Sequence, residues 1–419
     1  MSSTHADLAI ATFAIDEIVE GTQTGRDGTT LIVSPPQLAV GAGEPALAEA
    51  TVEVVRPDDR VRISNVCDAV VPDVRADDPS RTFPGPVGTA DDHLGAEPVI
   101  HRLGGVCVLT SCDWEGAGYV GPDELPASIV DMAGPGRDRS PFGDTTNVVL
   151  RCVPAPGVPV GEADAAMRRA GATLARDLAS ATLGHTPDDR TLPVAFPDAD
   201  PSLPAVCAIV QVASEGPLVD TFLDGAHLRD LRPRAIDPAW LYAGRITNGA
   251  YDWPGVRNVT AAYQEAAVIG ALAAVHGTSL RFAGLILAPG YLDTASAKRA
   301  SAEASAALAA AMGASGAVCT TFSSGNSHTD TMLTVRALER RGVATVAMVC
   351  ETNGGLTDHV DEADCLISTG NEDELVDPWI PDRVIGGEAG ARIGLATPTV
   401  NYLSGCTQLG NDVWTAVPA

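Results

Sequence analysis

The sequence predicts an α/β protein with a β-rich N-terminal region and a C-terminal domain built on a doubly wound, mostly parallel sheet. Up to about residue 110, alternating apolar stretches are separated by Pro, Gly and Asp, which is typical of strands and turns. After residue 204, continuous apolar runs alternate with helical segments, which is typical of buried parallel strands joined by helices. The chain has 419 residues, of which 45% are hydrophobic and 19% charged, as in globular proteins.

The predicted elements divide the chain into three parts. Residues 1–150 form the β-rich N-terminal domain, 151–203 a helix and a connecting segment, and 204–419 the α/β domain that carries the candidate site. Near-helical spacing of Ala, Met and Leu predicts the first long helix over about 161–183. In the last part we expect strands at 204–212, 282–288, 316–321, 343–349 and 364–369, with helices at about 294–312 and 329–341.

The charge balance limits the possible partners. The chain has 54 acidic and 27 basic residues, a net charge of −27, which argues against a nucleic-acid binder and against docking on anionic membranes. No apolar run reaches the roughly 18–20 residues that span a bilayer, and the first residues lack the basic region of a secretory signal. We therefore expect a cytoplasmic protein without nucleic-acid or membrane partners.

Sequence motifs for common cofactors are absent. There is no GxGxxG after a strand, no P-loop, no HExxH and no GxSxG. The nine cysteines are widely spaced without a CxxC, so we expect reduced, mostly buried thiols and no metal site, with Cys406 as the most loop-like thiol. Lys298 is the only lysine, and its Ala-rich surroundings predict an exposed helix face.

Polar residues follow two of the predicted parallel strands. Asn326 and Asp330 come after the strand that ends at Thr321, and Glu351 follows the strand that ends at Cys350. Ligands collect at the carboxyl ends of such strands, so we expect these three side chains to face one cleft.

We also expect an anion-binding site at the start of the helix that follows Asn326. Ser327 or Thr329 is the expected cap, and the exposed N–H groups of the first turn would hold a carboxylate, with His328 beside them. The alternative is a capped turn with nothing bound, and His328 alone is more often a surface or capping residue than a catalyst.

A second candidate feature is aromatic. Although aromatic residues are only 4% of the chain, five of them crowd into residues 240–263. Tyr251 and Trp253 flank Asp252, and aromatic rings beside a carboxylate can hold an ammonium group by cation–π attraction. Aromatic packing beneath a loop is the competing interpretation.

At these residues the chain resembles the component B precursor of glycine, sarcosine and betaine reductases, which is related to the D-proline reductase precursor. The string GNSHTD at 325–330 is similar to the family's GNPDTD. Further matching strings, in the same order and at similar spacing, lie at 57–63, 83–88, 101–105, 129–136 and 141–149.

The resemblance implies reductive cleavage of a C–N bond by a multi-subunit oxidoreductase of amino-acid metabolism. It implies that component B binds an amino-acid-derived substrate while a thiol- or selenol-bearing partner subunit attacks the α-carbon, so we expect a hetero-oligomer. It also implies self-cleavage before a cysteine, which becomes a pyruvoyl group that condenses with the substrate amine.

The sequence departs from the family at this junction. Gly249 stands after Asn248 where the family has its cysteine, and no Cys or Ser lies between Ser214 and Ser279. Glycine offers neither the nucleophile for an acyl shift nor a group to eliminate. We therefore expect no cofactor, because the pyruvoyl group should be absent.

Three hypotheses follow for the function. In the first, the chain binds an amine or quaternary ammonium substrate that needs no imine, with Asp330 and Glu351 as catalytic residues. Asn326, His328, Tyr251, Asp252 and Trp253 would bind that substrate. In the second, the chain is a non-catalytic scaffold for the thiol- or selenol-bearing partner. In the third, it is a specialised reductase or lyase of secondary metabolism.

Overall fold

The structure is a computed structural model of the chain. It describes residues 9–34, 43–79, 99–113, 128–191, 196–214, 219–250, 258–322, 325–351, 363–386, 397–407, 409 and 415–417.

The described N-terminal half is mostly strands with one long helix. Its elements are β1 Ala9–Ala14, β2 Glu17–Glu20, β3 Gly25–Asp27, β4 Thr30–Val33, β5 Leu47–Val55, β6 Val61–Ile63, β7 Val66–Val70, β8 Asp73–Arg75, β9 Val99–Gly104, β10 Val106–Cys112, β11 Val130–Asp131, β12 Thr146–Pro154, α1 Val160–Ala179 and β13 Asp189–Thr191.

Two four-stranded sheets and helix α1 enclose the core of this half. The sheets have the orders β13-β1-β9-β8 and β5-β12-β10-β7. The apolar face of α1, including Met167, Leu174 and Leu178, is fully buried in one cluster with Phe13 and Val108. These side chains recur at helical spacing because they form the one stripe of α1 that packs against the sheets.

The C-terminal half alternates strands and helices. Its elements are β14 Ala205–Ala213, β15 Val219–Leu223, β16 Ala226–His227, β17 Arg234–Ile236, α2 Ala239–Tyr242, β18 Ile246–Ala250, α3 Thr260–Gln264, α4 Ala267–Val275, β19 Arg281–Gly290, α5 Ala295–Ala311, β20 Gly316–Thr320, α6 Asn326–Glu339, β21 Ala344–Glu351, β22 Cys365–Asn371, β23 Leu375–Val376, β24 Arg383–Ile385, β25 Thr397–Pro398 and β26 Thr415–Val417.

A seven-stranded sheet organises this half, in the order β17-β19-β14-β20-β21-β22-β26. The five inner strands are parallel, and an antiparallel strand closes each edge. From β14 the chain moves to one side, to β19, and from β20 it moves to the other, to β21. The predicted α/β class with a doubly wound, mostly parallel sheet is therefore confirmed, and the topological switch lies between β14 and β20.

The end of the chain returns to the N-terminal half. Strand β24 pairs in parallel with β6, and an isolated bridge joins Ile129 to Tyr402. Beside it, Tyr402 donates a hydrogen bond to Asp131, which also accepts two hydrogen bonds from Arg62 at 2.6 and 2.7 Å.

A second buried polar group joins the two halves. Arg102 donates to both carboxylate oxygens of Asp73 at 2.8 and 2.7 Å, and to the carbonyl oxygen of Gln264 on α3 at 3.2 Å. The side chain of Gln264 donates to Asp73 at 3.0 Å. This bidentate pair is fully hydrogen-bonded, as a buried ion pair must be if it is not to destabilise the fold.

The cysteines are free and eight of the nine are buried, including Cys406, whereas Cys365 is half-buried. Cys406 lies in a turn, as its sequence predicts, but it is buried, and its carbonyl oxygen accepts a hydrogen bond from the Cys350 thiol at 2.7 Å. None of the described helices is long and apolar enough to cross a membrane.

Candidate functional site

The carboxyl edge of the parallel sheet brings several polar side chains together. At the switch between β14 and β20, the Oε1 of Gln211 accepts a hydrogen bond from the backbone N–H of Phe322 at 2.7 Å. Its Nε2 donates to the carbonyl oxygen of Ser327 at 3.0 Å. Gln211 is 3% exposed, so it fixes the chain between β20 and α6 from inside the sheet.

Lys298 is the central cation of this edge. Its Nζ lies 2.7 Å from Oδ1 of Asp330 and 3.1 Å from the carbonyl oxygen of Asn326. The Lys298 and Asp330 side chains are 10% and 4% exposed. The prediction of an exposed lysine is therefore wrong, because α5 turns this residue toward the start of α6, where a carboxylate compensates its charge.

Asp330 is held on both oxygens. Oδ2 accepts the backbone N–H of Leu292 at 3.2 Å, which ties α6 to the loop after β19. Burial raises the pKa of Asp330 above its ordinary value, while the hydrogen bond and charge of Lys298 act in the opposite direction. In this arrangement Asp330 is an anchor for the edge and is not exposed to a ligand.

The first turn of α6 differs from the prediction. The helix begins at Asn326, and the residue before it is Gly325, with φ of 65°; no side chain caps the helix. The expected capping by Ser327 or Thr329 is therefore wrong. Ser327 and His328 are buried inside the helix packing, whereas Asn326 is exposed and donates to the carbonyl oxygen of Leu292 at 3.3 Å.

Glu351 lies on the same edge, as the last residue of β21. Its side chain is half-buried, and its carbonyl oxygen accepts the N–H of Glu372 at 2.9 Å. The edge thus assembles Asn326, Asp330 and Lys298 by direct contact, with Glu351 at the end of the strand that follows α6.

The aromatic segment is only partly described. Tyr242 and Tyr263 are core residues, and Tyr242 donates to the carbonyl oxygen of Ala266 at 2.8 Å. The guanidinium of Arg245 lies 3.9 Å from the ring centre of Trp240. Packing therefore explains these three aromatic residues, and Tyr251, Asp252 and Trp253 lie outside the described residues.

The Asn248–Gly249 junction that the sequence analysis singled out lies in a strand. Asn248 and Gly249 belong to β18, where they pair with Thr221 and Asp220 of the antiparallel strand β15. The same hairpin contacts the N-terminal half, since the Arg168 guanidinium of α1 lies 3.8 Å from the ring centre of Phe222.

The sequence did not predict that two further residues, Gln211 and Lys298, belong to this edge. Gln211 lies within a continuous apolar run, and a polar residue interrupting such a run is the signal that was available. Lys298 was noticed as the only lysine, but its partner lies 32 residues further along the chain. Across the described ranges, no group of three or more His, Cys, Asp or Glu side chains is placed to hold a metal ion.

The fold and this edge define a doubly wound α/β protein with a polar cluster where such sheets bind small ligands. A sequence profile described as glycine/sarcosine/betaine reductase component B subunits matches residues 6–401. The chain belongs to this family.

Several curated relatives span nearly the whole chain. It is 27% identical to glycine reductase complex component B subunits alpha and beta of Acetoanaerobium sticklandii, over 90% of this chain and 88% of the relative. It is also 27% identical to two Peptoclostridium acidaminophilum proteins. These are sarcosine reductase complex component B subunit alpha (90% and 89% covered) and betaine reductase complex component B subunit alpha (93% and 90% covered). No solved structure matches the chain.

Proposed function

We propose that this chain is the substrate-binding subunit of a reductase complex that cleaves a C–N bond without a pyruvoyl group. The family match over residues 6–401 and relatives from three kinds of reductase complex support the role as a component B subunit. In the proposed reaction a thiolate or selenolate of the partner subunit attacks the α-carbon. The new C–S or C–Se bond forms as the C–N bond breaks, and the amine leaves with the electron pair.

Gly249 is the observation that carries the finer part of the proposal. Formation of a pyruvoyl group needs a side-chain nucleophile at the junction, and glycine has no side chain. The neighbouring hydroxyl, Thr247, precedes Asn248 and is buried in β18. The residues present at the junction therefore do not fit the group, and no step of the reaction is assigned to it.

Without the pyruvoyl group the subunit has no ketone to react with a substrate amine, and this limits the class of substrate. A ketone helps only an amine that can condense with it, and a quaternary ammonium group cannot form an imine. Such a group is already a good leaving group because it departs as a neutral amine. We therefore expect a substrate of the betaine type, with a quaternary ammonium group next to a carboxylate-bearing carbon.

The first experiment is the denatured intact mass of the chain co-expressed with its partner subunit. A single species at 43.0 kDa is expected, since nothing at the junction supports cleavage. Two fragments that meet near Asn248 would contradict the proposal and bring primary amines forward as substrates. Turnover of glycine betaine, with glycine as the matched primary amine, then tests the substrate class in the reconstituted complex.

A scaffold function is the second candidate, and one observation favours it. Asp330 is already paired with Lys298 inside the sheet edge, so it need not contact a substrate. Single substitutions of Asn326, Asp330, Asp252 and Glu351 distinguish the two functions. A folded scaffold keeps the activity of the whole complex in all four variants, whereas a substrate-binding subunit loses it in at least one.

A further inference from the structure

Exposed apolar side chains are concentrated in one short segment near the end of the chain. Among the residues that the structure describes, three large hydrophobic side chains are exposed, Ile380 by 75%, Leu375 by 62% and Val275 by 37%. Single exposed hydrophobic residues are ordinary on protein surfaces, but Leu375 and Ile380 belong to one segment. Their Cα atoms lie at most about 18 Å apart, so one interface of ordinary size covers both.

The neighbouring residues extend this apolar surface. We name residues 375–382 the apolar strip. It includes Pro378, which is exposed, and Trp379 and Pro381, which are half-buried. Trp is one of the residue types that contribute most to protein–protein binding. The strip therefore has an aromatic side chain between two exposed aliphatic ones.

The N-terminal half holds the apolar strip in place. The Trp379 ring packs on Gly134, where an added Cβ would lie 2.7 Å from three ring atoms, and the Arg60 guanidinium lies 5.6 Å from the ring centre. Arg60 also donates to the carbonyl oxygen of Ile380 at 2.9 Å, and its own carbonyl oxygen accepts the N–H of Asp382 at 2.8 Å. A backbone that is already fixed loses little conformational freedom when a partner binds.

The apolar strip begins beside the carboxyl edge of the parallel sheet. Strand β22 ends at Asn371, which is paired in register with Glu351, the last residue of β21. The chain continues to Leu375 on β23, whose Cα lies at most about 14 Å from that of Asn371. A protein that docks on the strip therefore lies beside the edge that carries Glu351.

The charges around the apolar strip favour a basic partner. Residues 373–382 hold no basic residue and four acids, Asp373, Glu374, Asp377 and Asp382. Arg139 pairs with Glu374 and Arg60 with Asp382, while the following Arg383 pairs with Glu53, so this surface keeps a net negative charge. A second copy of the chain also carries −27 and is repelled, whereas Lys and Arg around an apolar centre are attracted.

We propose that the apolar strip is the docking surface for the thiol- or selenol-bearing partner subunit, which contacts it with an apolar centre rimmed by Lys and Arg. The inference rests on the proposed function, in which that subunit supplies the nucleophile from outside this chain. Docking on the strip brings the nucleophile to the edge where Glu351 and the start of α6 lie. Leu375 and Ile380 stabilise the bound state, and the acids speed association.

Biolayer interferometry of the full chain with the purified partner subunit tests the docking surface. Leu375→Ser and Ile380→Ser should each raise the Kd at least about fivefold, because each removes an apolar contact. Val275→Ser, at the third exposed position, is the matched control and should change the Kd by less than about twofold. All three variants should melt within about 2 °C of wild type, since exposed side chains contribute little to stability.

The predicted basic rim of the partner subunit is tested with one carboxylate and with salt. Asp377→Asn should slow association about two- to fivefold at low salt and leave dissociation unchanged, and the effect should disappear at about 0.5 M salt. Asp27→Asn removes an exposed carboxylate on β3 and should leave both rates unchanged. Faster association of Asp377→Asn would show an acidic partner surface and overturn the proposal.

The outcomes separate the docking surface from the proposed function. Unchanged affinity of Leu375→Ser and Ile380→Ser, or an equal loss in Val275→Ser, overturns the docking surface, and C–N cleavage by the complex would then leave the proposed function standing. Dimers of this chain that the two strip variants dissociate would assign the strip to a second copy and also overturn the proposal.

Two further outcomes bear on the proposed function itself. If the strip variants weaken docking but the complex cleaves no C–N bond, the docking surface stands and the proposed function fails. A chain that binds no thiol- or selenol-bearing subunit contradicts both.

Discussion

The ammonium nitrogen of Lys298 lies 2.7 Å from Oδ1 of Asp330 and joins α5 to α6 at the carboxyl edge of the parallel sheet. Lys298→Met should destabilise the chain by about 3–5 kcal/mol, because it leaves the Asp330 carboxylate buried without its cation. Urea unfolding measures the change. Arg299→Met, at the exposed neighbouring position, should alter stability by less than about 0.5 kcal/mol. Equal stability of the two variants would show that the pair is not needed.

Gln211 should be as important to this edge as the ion pair. Gln211→Leu keeps the approximate size but removes the acceptor of the Phe322 N–H and the donor to the Ser327 carbonyl. We expect a loss of about 1–3 kcal/mol, since the buried Phe322 N–H loses the Gln211 acceptor and the Ser327 carbonyl oxygen, which still accepts from the Thr331 hydroxyl, loses one of its donors. Hydrogen exchange of the Phe322 amide should accelerate by at least tenfold. Unchanged exchange, or an equal effect of the exposed Gln23→Leu, would contradict this role.

Asp68 should make stability depend on pH. It accepts hydrogen bonds from the N–H and hydroxyl of Thr260, and burial raises its pKa from 3.8 to about 7. Because the folded state binds this proton more tightly than the unfolded state, the contribution of Asp68 is largest below about pH 4. It falls as the pH rises toward 7, by at most about 4 kcal/mol.

The difference in unfolding free energy between wild type and Asp68→Asn isolates this effect, because the other titrating groups cancel. Wild type should lose stability relative to Asp68→Asn between about pH 4 and pH 7. A difference that stays constant with pH, or that changes in the opposite direction, would show that Asp68 has an ordinary pKa in the folded chain.

Gly136 should tolerate no side chain. A Cβ there would lie 2.2 Å from the Tyr402 hydroxyl and 2.4 Å from Oδ2 of Asp131, so Gly136→Ala disrupts the buried group that also contains Arg62. We expect a loss of more than about 2 kcal/mol. Gly161→Ala is the matched control, because nothing lies within 4 Å of its added Cβ in α1, and it should stabilise by about 0.4–1 kcal/mol. Thermal unfolding ranks the two variants, and similar stability would contradict the packing seen at Gly136.

The buried strands were predictable because both of their faces are covered, which leaves continuous apolar runs in the sequence. The run predicted at 282–288 is the centre of β19, and the run at 204–212 is β14. The beginning of α6 was predicted three residues too late, because Gly325 precedes the helix and no side chain caps it. Where a helix starts without a capping side chain, the sequence carries little signal.

The sites were harder to predict than the strands because their residues come from separate parts of the chain. Asn326 and Asp330 were found from their place after one strand, but an Ala-rich helix shows no clear polar face, so the direction of Lys298 was misjudged. Cavities share this difficulty: Glu265 and Ser404 line one cavity but lie far apart in sequence, and only the packing of the fold brings them together.

The pairing of β24 with β6 determines the order in which this chain matures on the ribosome. The N–H of Asp382 donates to the carbonyl oxygen of Arg60, so this strand gains a partner that lies 322 residues further along the chain. Until then, the edge of β6 that β24 covers is open to other strands, which is a hazard for aggregation. Residues as far as Ile385 must therefore be synthesised before the β6–β24 pair can form and cover this edge.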